Sequence, residues 1–290
     1  MYSDQNPIKS TENQLIECVE NENAEAVANL NGKFVCIVQY EKEVFVLRNQ
    51  TGYYTPVYYN KDFFSNSFDL IRKSSSLDLE LNNDAIKLFL KQGYIDAPKT
   101  IFKGINKLSA FEYVKFYSNK AVVNKTLNYD KFISKAGTYT SSLDHAVSDY
   151  EKLHKQAILN RIEHKKNIAI LLSGGFDSGG NLFALRDIYK GDITAFTVGF
   201  KNNAHSELPQ AKLMADTFNA KLIPLYLDGS EINDLPKMLT AFEEPYFENG
   251  MFINYKLTQS INPKHYDVVI GGDGNDQFFG TSSREIALNV

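Results

Sequence analysis

Residues 167–172 form an almost unbroken apolar run that ends in Ser173-Gly174-Gly175-Phe176-Asp177-Ser178-Gly179-Gly180. A run with no polar alternation suits a strand covered on both faces, as in a parallel sheet flanked by helices. The chain keeps this rhythm. A helix is expected near 178–189, a strand near 193–199, and a helix near 206–219 that is apolar at Leu208, Ala211, Ala215 and Phe218. A strand near 221–227, two helices within 231–261 and a strand at 266–270 complete the series. Strands alternating with helices of this length imply βαβ units and a mostly parallel sheet. Ahead of the run, Ala146, Val147, Tyr150, Leu153, Ala157, Ile158 and Ile162 recur at helical spacing behind Asp144, which reads as an N-cap.

The first half has another style. Residues 34–40 and 44–47 are apolar runs joined across Glu41-Lys42-Glu43, a hairpin pattern, and 111–116 with 121–123 repeat it around Ser118-Asn119. Short strands are expected at 56–59 and 63–67, and a short helix at 84–92 with Gly93 as its stop. The fold class is therefore α/β: a mainly antiparallel β domain over 1–133, a small polar linker at 134–144, and a parallel-sheet domain over 145–290.

Composition narrows the function. With 290 residues, 43% of them hydrophobic, both domains can have a core, and a net charge of −4 argues against a nucleic-acid partner. Two cysteines, Cys18 and Cys36, build neither a disulfide framework nor a four-thiolate zinc site, and Cys36 reads as a small buried thiol. The five histidines are scattered, with no metal-ligand spacing. No apolar run reaches membrane-spanning length and no leader pattern opens the chain, so a cytoplasmic location is expected.

Ligands of an open parallel sheet bind beyond the carboxyl ends of its strands. Glycines and serines at the mouth of a helix, as at 173–180, let backbone N–H groups and hydroxyls approach a phosphate. Asp177 fits beside a phosphate when Mg²⁺ lies between them. No Lys stands where an ordinary P-loop needs one. The last strand ends in Gly271-Gly272-Asp273-Gly274-Asn275-Asp276, a second glycine-rich acidic turn, and two such turns suggest a metal-bridged triphosphate.

Residues 173–178 resemble the SGGxDS signature of PP-loop ATP pyrophosphatases. Within that group the chain resembles the asparagine synthetase family, which includes β-lactam-forming synthetases. Ala195-Phe196-Thr197-Val198-Gly199-Phe200 is similar to the family's adenine-holding strand, and Ser206-Glu207 to the start of the helix after it. Glu243-Glu244-Pro245 resembles an acidic-proline turn near the carboxylate substrate, and residues 272–280 resemble the family's Gly-Glu-Gly-Ala-Asp-Glu-Leu-Phe-Gly. Upstream, Leu30-Asn31-Gly32-Lys33-Phe34, residues 52–59 and residues 95–108 look like the later half of the family's glutaminase domain.

The resemblance implies an ATP-dependent ligase that activates a small carboxylate as an acyl-adenylate and joins it to ammonia or an amine. It assigns Leu172, Val198 and Gly272 to adenosine, Ser173, Gly174, Gly175 and Ser178 to pyrophosphate, and Asp177 and Asp276 to Mg²⁺. Asp273 stands where the family has a Glu that serves the second substrate, so a one-carbon-shorter side chain is expected to alter specificity. Gly179 and Gly180 replace better helix formers.

Two further departures shape the expectation. The glutaminase half of the family uses an N-terminal Cys thiol, whereas Tyr2 follows Met1 here, so this half is expected to be a reduced, structural relic. The family also continues past the segment 278–280 with helices carrying a basic residue, so self-association or a second chain is expected to complete the core. The alternative is a catalytically reduced nucleotide-binding or assembly subunit that needs a partner chain. A tRNA-modifying PP-loop enzyme is disfavoured by the net charge and the lack of a Cys-x-x-Cys.

Overall fold

A computed structural model describes residues 16–17, 20–21, 34–48, 55–74, 79–110, 112–117, 120–125, 142–200, 206–248 and 250–274. The chain divides into two compact units, one of Met1–Tyr139 with Leu239–Glu248 and one of Thr140–Met238 with Asn249–Val290. No helix among the described residues is long and apolar enough to cross a membrane.

In the first unit, β1 (Val35–Tyr40) and β2 (Glu43–Arg48) pair as the expected hairpin, Glu41 taking a left-handed φ of 48° at the turn. β6 (Glu112–Tyr117) and β7 (Lys120–Lys125) extend it to an antiparallel sheet of order β1-β2-β6-β7. The short strands expected at 56–59 and 63–67 contract to β3 (Tyr58–Tyr59) and β4 (Phe64–Ser65), joined by β5 (Asn106–Lys107) in a second sheet. Strands of two residues show no alternation, so local pattern does not reveal β5. Helix α1 (Phe68–Ser74) is likewise absent from the sequence expectation; its Asp69 and Arg72-Lys73 sit at the ends the helix dipole favours.

Helix α2 (Asn83–Gln92) is fixed at both ends by local chemistry. The Asn82 side chain accepts from Ala85 N at 3.2 Å, and Gly93, at φ 86°, returns its N–H to Phe89 O at 2.8 Å. Gly93 is also where the backbone of Phe247 passes: a Cβ there would stand 2.2 Å from Phe247 O.

Two clusters form the unit's core. Val46, Val57, Tyr59, Leu108 and Val114 pack on one, and Tyr58, Phe68, Ile71 and Ile105 on the other. Glu243 and Glu244 join this unit rather than standing free. Ser67 Oγ and Phe68 N donate to Glu243 at 2.8 and 2.6 Å, which caps α1. Tyr58 Oη and Lys107 Nζ donate to Glu244 Oε2 at 2.7 and 2.9 Å.

The second unit opens with α3 (Leu143–Ile162). Its N-cap is Ser142, whose Oγ accepts from His145 N at 3.4 Å, and not the expected Asp144, which lies inside the first turn. Then come β8 (Ile168–Leu171), α4 (Phe176–Ile188), β9 (Ile193–Phe200), α5 (Leu208–Thr217) and β10 (Lys221–Leu227). A 3₁₀ turn at Ser230–Asp234, α6 (Leu235–Ala241), α7 (Met251–Ser260) and β11 (Val268–Ile270) follow. The sheet has the order β10-β9-β8-β11, every pair parallel.

Both sheet faces are covered. Ile168, Ile170, Leu172, Ile193 and Ala195 pack with Leu182, Leu185, Ala211 and Ala215 from α4 and α5. Ala169 and Phe196 pack with Leu257 and Ile261 on the other side. Gly179 has a packing reason, since a Cβ there would meet Met214 Sδ at 2.9 Å, whereas nothing in the structure explains Gly180.

Candidate active site

Strand order places the chemistry. From β8 the chain proceeds outward through β9 and β10, then returns to β11 on the opposite side of β8. Such a reversal leaves a crevice at the carboxyl ends of the strands where the connections part. A cleft of about 550 Å³ opens there. Of the residues singled out from sequence, Leu172, Ser173, Asp177, Ser178, Val198, Gly272 and Asp273 line it together. Gly174 and Gly175 shape the bend rather than the wall. Asp276 lies outside the described residues, as do Tyr2, Cys18, residues 30–33, 52–54, 126–141 and 275–290.

The bend is held by its own hydroxyls. Ser173 N donates to Ser178 Oγ at 3.1 Å, the two hydroxyl oxygens are 3.0 Å apart, and Gly175 N donates to Ser173 Oγ at 3.2 Å. Gly174 has φ 96°, and a Cβ there would stand 2.9 Å from Glu207 O and 3.0 Å from Ala211 N, so only glycine lets α5 start this close. Gly175, extended at φ −79° and ψ 167°, is the N-cap of α4, whose first residue, Phe176, stands two positions before the expected 178. No side chain caps that helix. Its first-turn N–H groups and dipole thus remain for an anion at the wall formed by Asp177 and Ser178.

Sequence reasoning missed part of the lining. Ile253, Asn254 and Leu257 come from α7, and Phe196, Thr197, Ser206 and Glu207, which the sequence offers only as parts of the similar strand and helix start, line the cleft as individual residues. Thr197 is 2% exposed and its Oγ1 has no hydrogen-bond partner. Its signal lay in the alternation of residues 193–200, which sets Thr197 on the same buried face as Ile193 and Ala195. No local signal marks the α7 residues, because α7 reaches the cleft only through tertiary packing.

Among the described residues, no group of three or more His, Cys, Asp or Glu side chains could hold a metal ion. Of the two carboxylates expected at Mg²⁺, Asp177 lines the cleft and Asp276 lies outside the described residues; such an ion needs only one or two protein carboxylates beside phosphate oxygens and water.

Residues 149–289 match the family model for asparagine synthase, and residues 8–129 match the model for a glutamine amidotransferase domain. The chain is similar to asparagine synthetases over these two segments, in that order. A Methanocaldococcus jannaschii protein provisionally named asparagine synthetase (glutamine-hydrolyzing) 2 is 26% identical over 266 residues, covering 88% of this chain and 50% of that one. A Mycobacterium bovis protein with a similar provisional name is 22% identical over 207 residues, 70% of this chain and 31% of that one. The chain therefore spans about half the length, or less, of these curated relatives. Among solved structures, a glutamine-dependent NAD⁺ synthetase from Acinetobacter baumannii, in complex with ADP, is similar at 10% identity and a TM-score of 0.38. The likeness covers 97% of this chain and 66% of that chain. The fold is of the expected α/β class: a parallel sheet flanked by helices, beside antiparallel sheets.

Proposed function

We propose that this chain is an amide-forming ligase that spends ATP to activate a carboxylate and uses ammonia or an amine as the nitrogen source. In the first step a carboxylate oxygen of the substrate forms a bond to the α-phosphorus, the bond from that phosphorus to the bridging oxygen breaks, and pyrophosphate leaves. In the second the amine nitrogen attacks the acyl carbon, AMP departs with the bonding pair, and the nitrogen gives up a proton. One observation carries this reading: Leu172, Ser173, Asp177, Ser178, Val198, Gly272 and Asp273 share one cleft at the sheet's switch point.

Each group then has a role of a recognisable kind. The hydroxyls of Ser173 and Ser178 and the uncapped first turn of α4 receive pyrophosphate, with Gly174 and Gly175 keeping the backbone close. Leu172, Val198 and Gly272 hold adenosine. Asp177 and Asp276 would hold Mg²⁺, which when bound would supply charge neutralisation on the leaving group. Transfers of this kind depend chiefly on positioning and charge neutralisation rather than on a protein nucleophile. Asp273, at the cleft wall, orients the incoming nitrogen.

Ammonia or an amine is the nitrogen source of this proposal; of the two cysteines, Cys18 lies outside the described residues and Cys36 is a poor nucleophile. It lies within β1, and burial pushes its thiol pKa up, which lowers the thiolate fraction. The carboxylate substrate and any chain that completes the site belong to the same proposal. Pyrophosphate–ATP exchange across a panel of amino and β-amino acids tests it. Exchange that depends on one carboxylate and is lost in Asp177→Ala supports the ligase. Tight ATP binding with no AMP released from any carboxylate identifies a nucleotide-binding subunit instead, and glutamate released from glutamine would overturn the nitrogen assignment.

A further inference from the structure

The turn that brings Gly272 and Asp273 to the cleft has little to hold it. β11 is three residues long, lies at the sheet edge, and pairs with β8 only as far as Ile270 opposite Ile170. Beyond it come Gly271, Gly272, Asp273 and Gly274, a stretch whose glycines give the backbone wide conformational freedom. Among the described residues a single hydrogen bond reaches this turn from the rest of the unit: Asn181 Nδ2 donates to Gly271 O at 2.8 Å.

Asn181 lies on α4, one turn beyond Asp177, so the helix that begins at the serine-glycine bend also grips the opposite wall. That second contact is close, since a Cβ at Gly272 would stand 3.5 Å from Ser178 N. Asn181 is itself oriented. Its Oδ1 lies 2.6 Å from His154 Nε2, and because Nδ2 is committed to a carbonyl, the oxygen must accept and Nε2 must carry the proton. The His154 ring is stacked on Tyr150, one turn earlier on α3, with centroids 5.4 Å apart and planes at 26°. An asparagine is a poorer helix former than leucine at such a site, and its amide has both ends in use.

We propose that Asn181, aligned by His154, is a positioning residue that sets the Gly272–Asp273 turn against the serine-glycine bend. The functional consequence rests on the reading of the cleft as a nucleotide site; the tether itself does not. Asn181→Asp separates this role from mere α3–α4 packing. An aspartate keeps an acceptor for His154 and the same volume, but loses the donor and sets a carboxylate against the Gly271 carbonyl.

The experiment combines amide hydrogen exchange across residues 268–274 with Mg²⁺-ATP titration calorimetry on the full chain. Wild type is compared with Asn181→Asp, Asn181→Leu, His154→Gln and His154→Leu, with melting temperatures recorded alongside. Asn181→Asp is expected to speed exchange in the turn and to weaken ATP binding about tenfold, the loss of one well-made hydrogen bond. Asn181→Leu should do the same with its melting temperature held. His154→Gln, which retains an N–H donor, should stay near wild type while His154→Leu drifts toward Asn181→Asp. Wild-type exchange in Asn181→Asp overturns the tether. A wild-type chain that binds no nucleotide, but whose turn loosens in Asn181→Asp, instead overturns the reading of the cleft and leaves the tether standing.

Discussion

Gly174 and Glu207 touch backbone to backbone: a Cβ at position 174 would stand 2.9 Å from the Glu207 carbonyl oxygen, and φ at Gly174 is 96°. This contact seats the start of α5 on the serine-glycine bend, and both partners are main chain, so neither can swing aside. Gly174→Ala should therefore destabilise the unit by about 1–3 kcal/mol through backbone strain alone. It should weaken ATP binding further, because the bend must open to relieve the clash. Melting temperature and ATP titration together check this, and an alanine variant with wild-type affinity would mean that the bend does not shape the nucleotide site.

Thr197 carries the opposite kind of information. Its hydroxyl oxygen is buried and unpartnered at the cleft wall. A desolvated hydroxyl without a partner costs roughly 1–3 kcal/mol, so Thr197→Val, which keeps the shape, should raise the melting temperature of the ligand-free chain. If the hydroxyl serves a ligand, the same variant should bind ATP less tightly. A variant more stable in the free state and weaker in binding identifies Thr197 as a ligand contact; unchanged affinity makes it a packing residue.

Legibility in the sequence followed the range of the interactions concerned. The β8 run, the glycine bend and the strand at 221–227 are set by neighbours within a few residues, and the structure returns them within a residue or two of expectation. So is α2, whose cap and stop are both local. The start of α3 was misplaced because Ser142 and Asp144 are both good caps, and only one can precede the first turn. The β3–β5 pairing, α7 at the cleft and the Asn181 tether depend on residues tens of positions apart, as does Glu244 on Tyr58 and Lys107. No local period records such contacts. Gly179 looked like a weakness in the helix until Met214 appeared against it.

Lys107 and Glu244 meet 137 positions apart in sequence, with side chains only 19% and 10% exposed. Glu244→Gln preserves size and can still accept from Tyr58, but it leaves the Lys107 ammonium without a counter-charge. Removing one member of a largely buried pair costs about 3–5 kcal/mol, and the partial exposure of Lys107 puts the expectation near the low end. Pairing it with Lys107→Met should recover part of the loss, because no buried charge is then left alone. Urea unfolding of the two single variants and the double variant reads this directly; strictly additive losses would show that the two residues do not stabilise each other.

Tyr58 gives the same contact a signature in pH. Burial first, and then the adjacent Glu244 carboxylate, push its phenol pKa well above the usual tyrosine value. Burial raises that of Tyr59 as well. A group whose folded pKa is raised leaves stability intact below its unfolded value, near 10 for tyrosine, and erodes it above, where the unfolded chain releases a proton that the folded chain keeps. Unfolding free energy should therefore fall as pH rises beyond about 10, by up to about 1.4 kcal/mol per pH unit for each such tyrosine. Tyr58→Phe has no proton to release there. It should start less stable at neutral pH, having lost the hydrogen bond to Glu244, and then decline less steeply than wild type. Urea midpoints measured from neutral to strongly alkaline pH decide the matter, since equal slopes in the two proteins would mean that the Tyr58 phenol ionises as freely folded as unfolded.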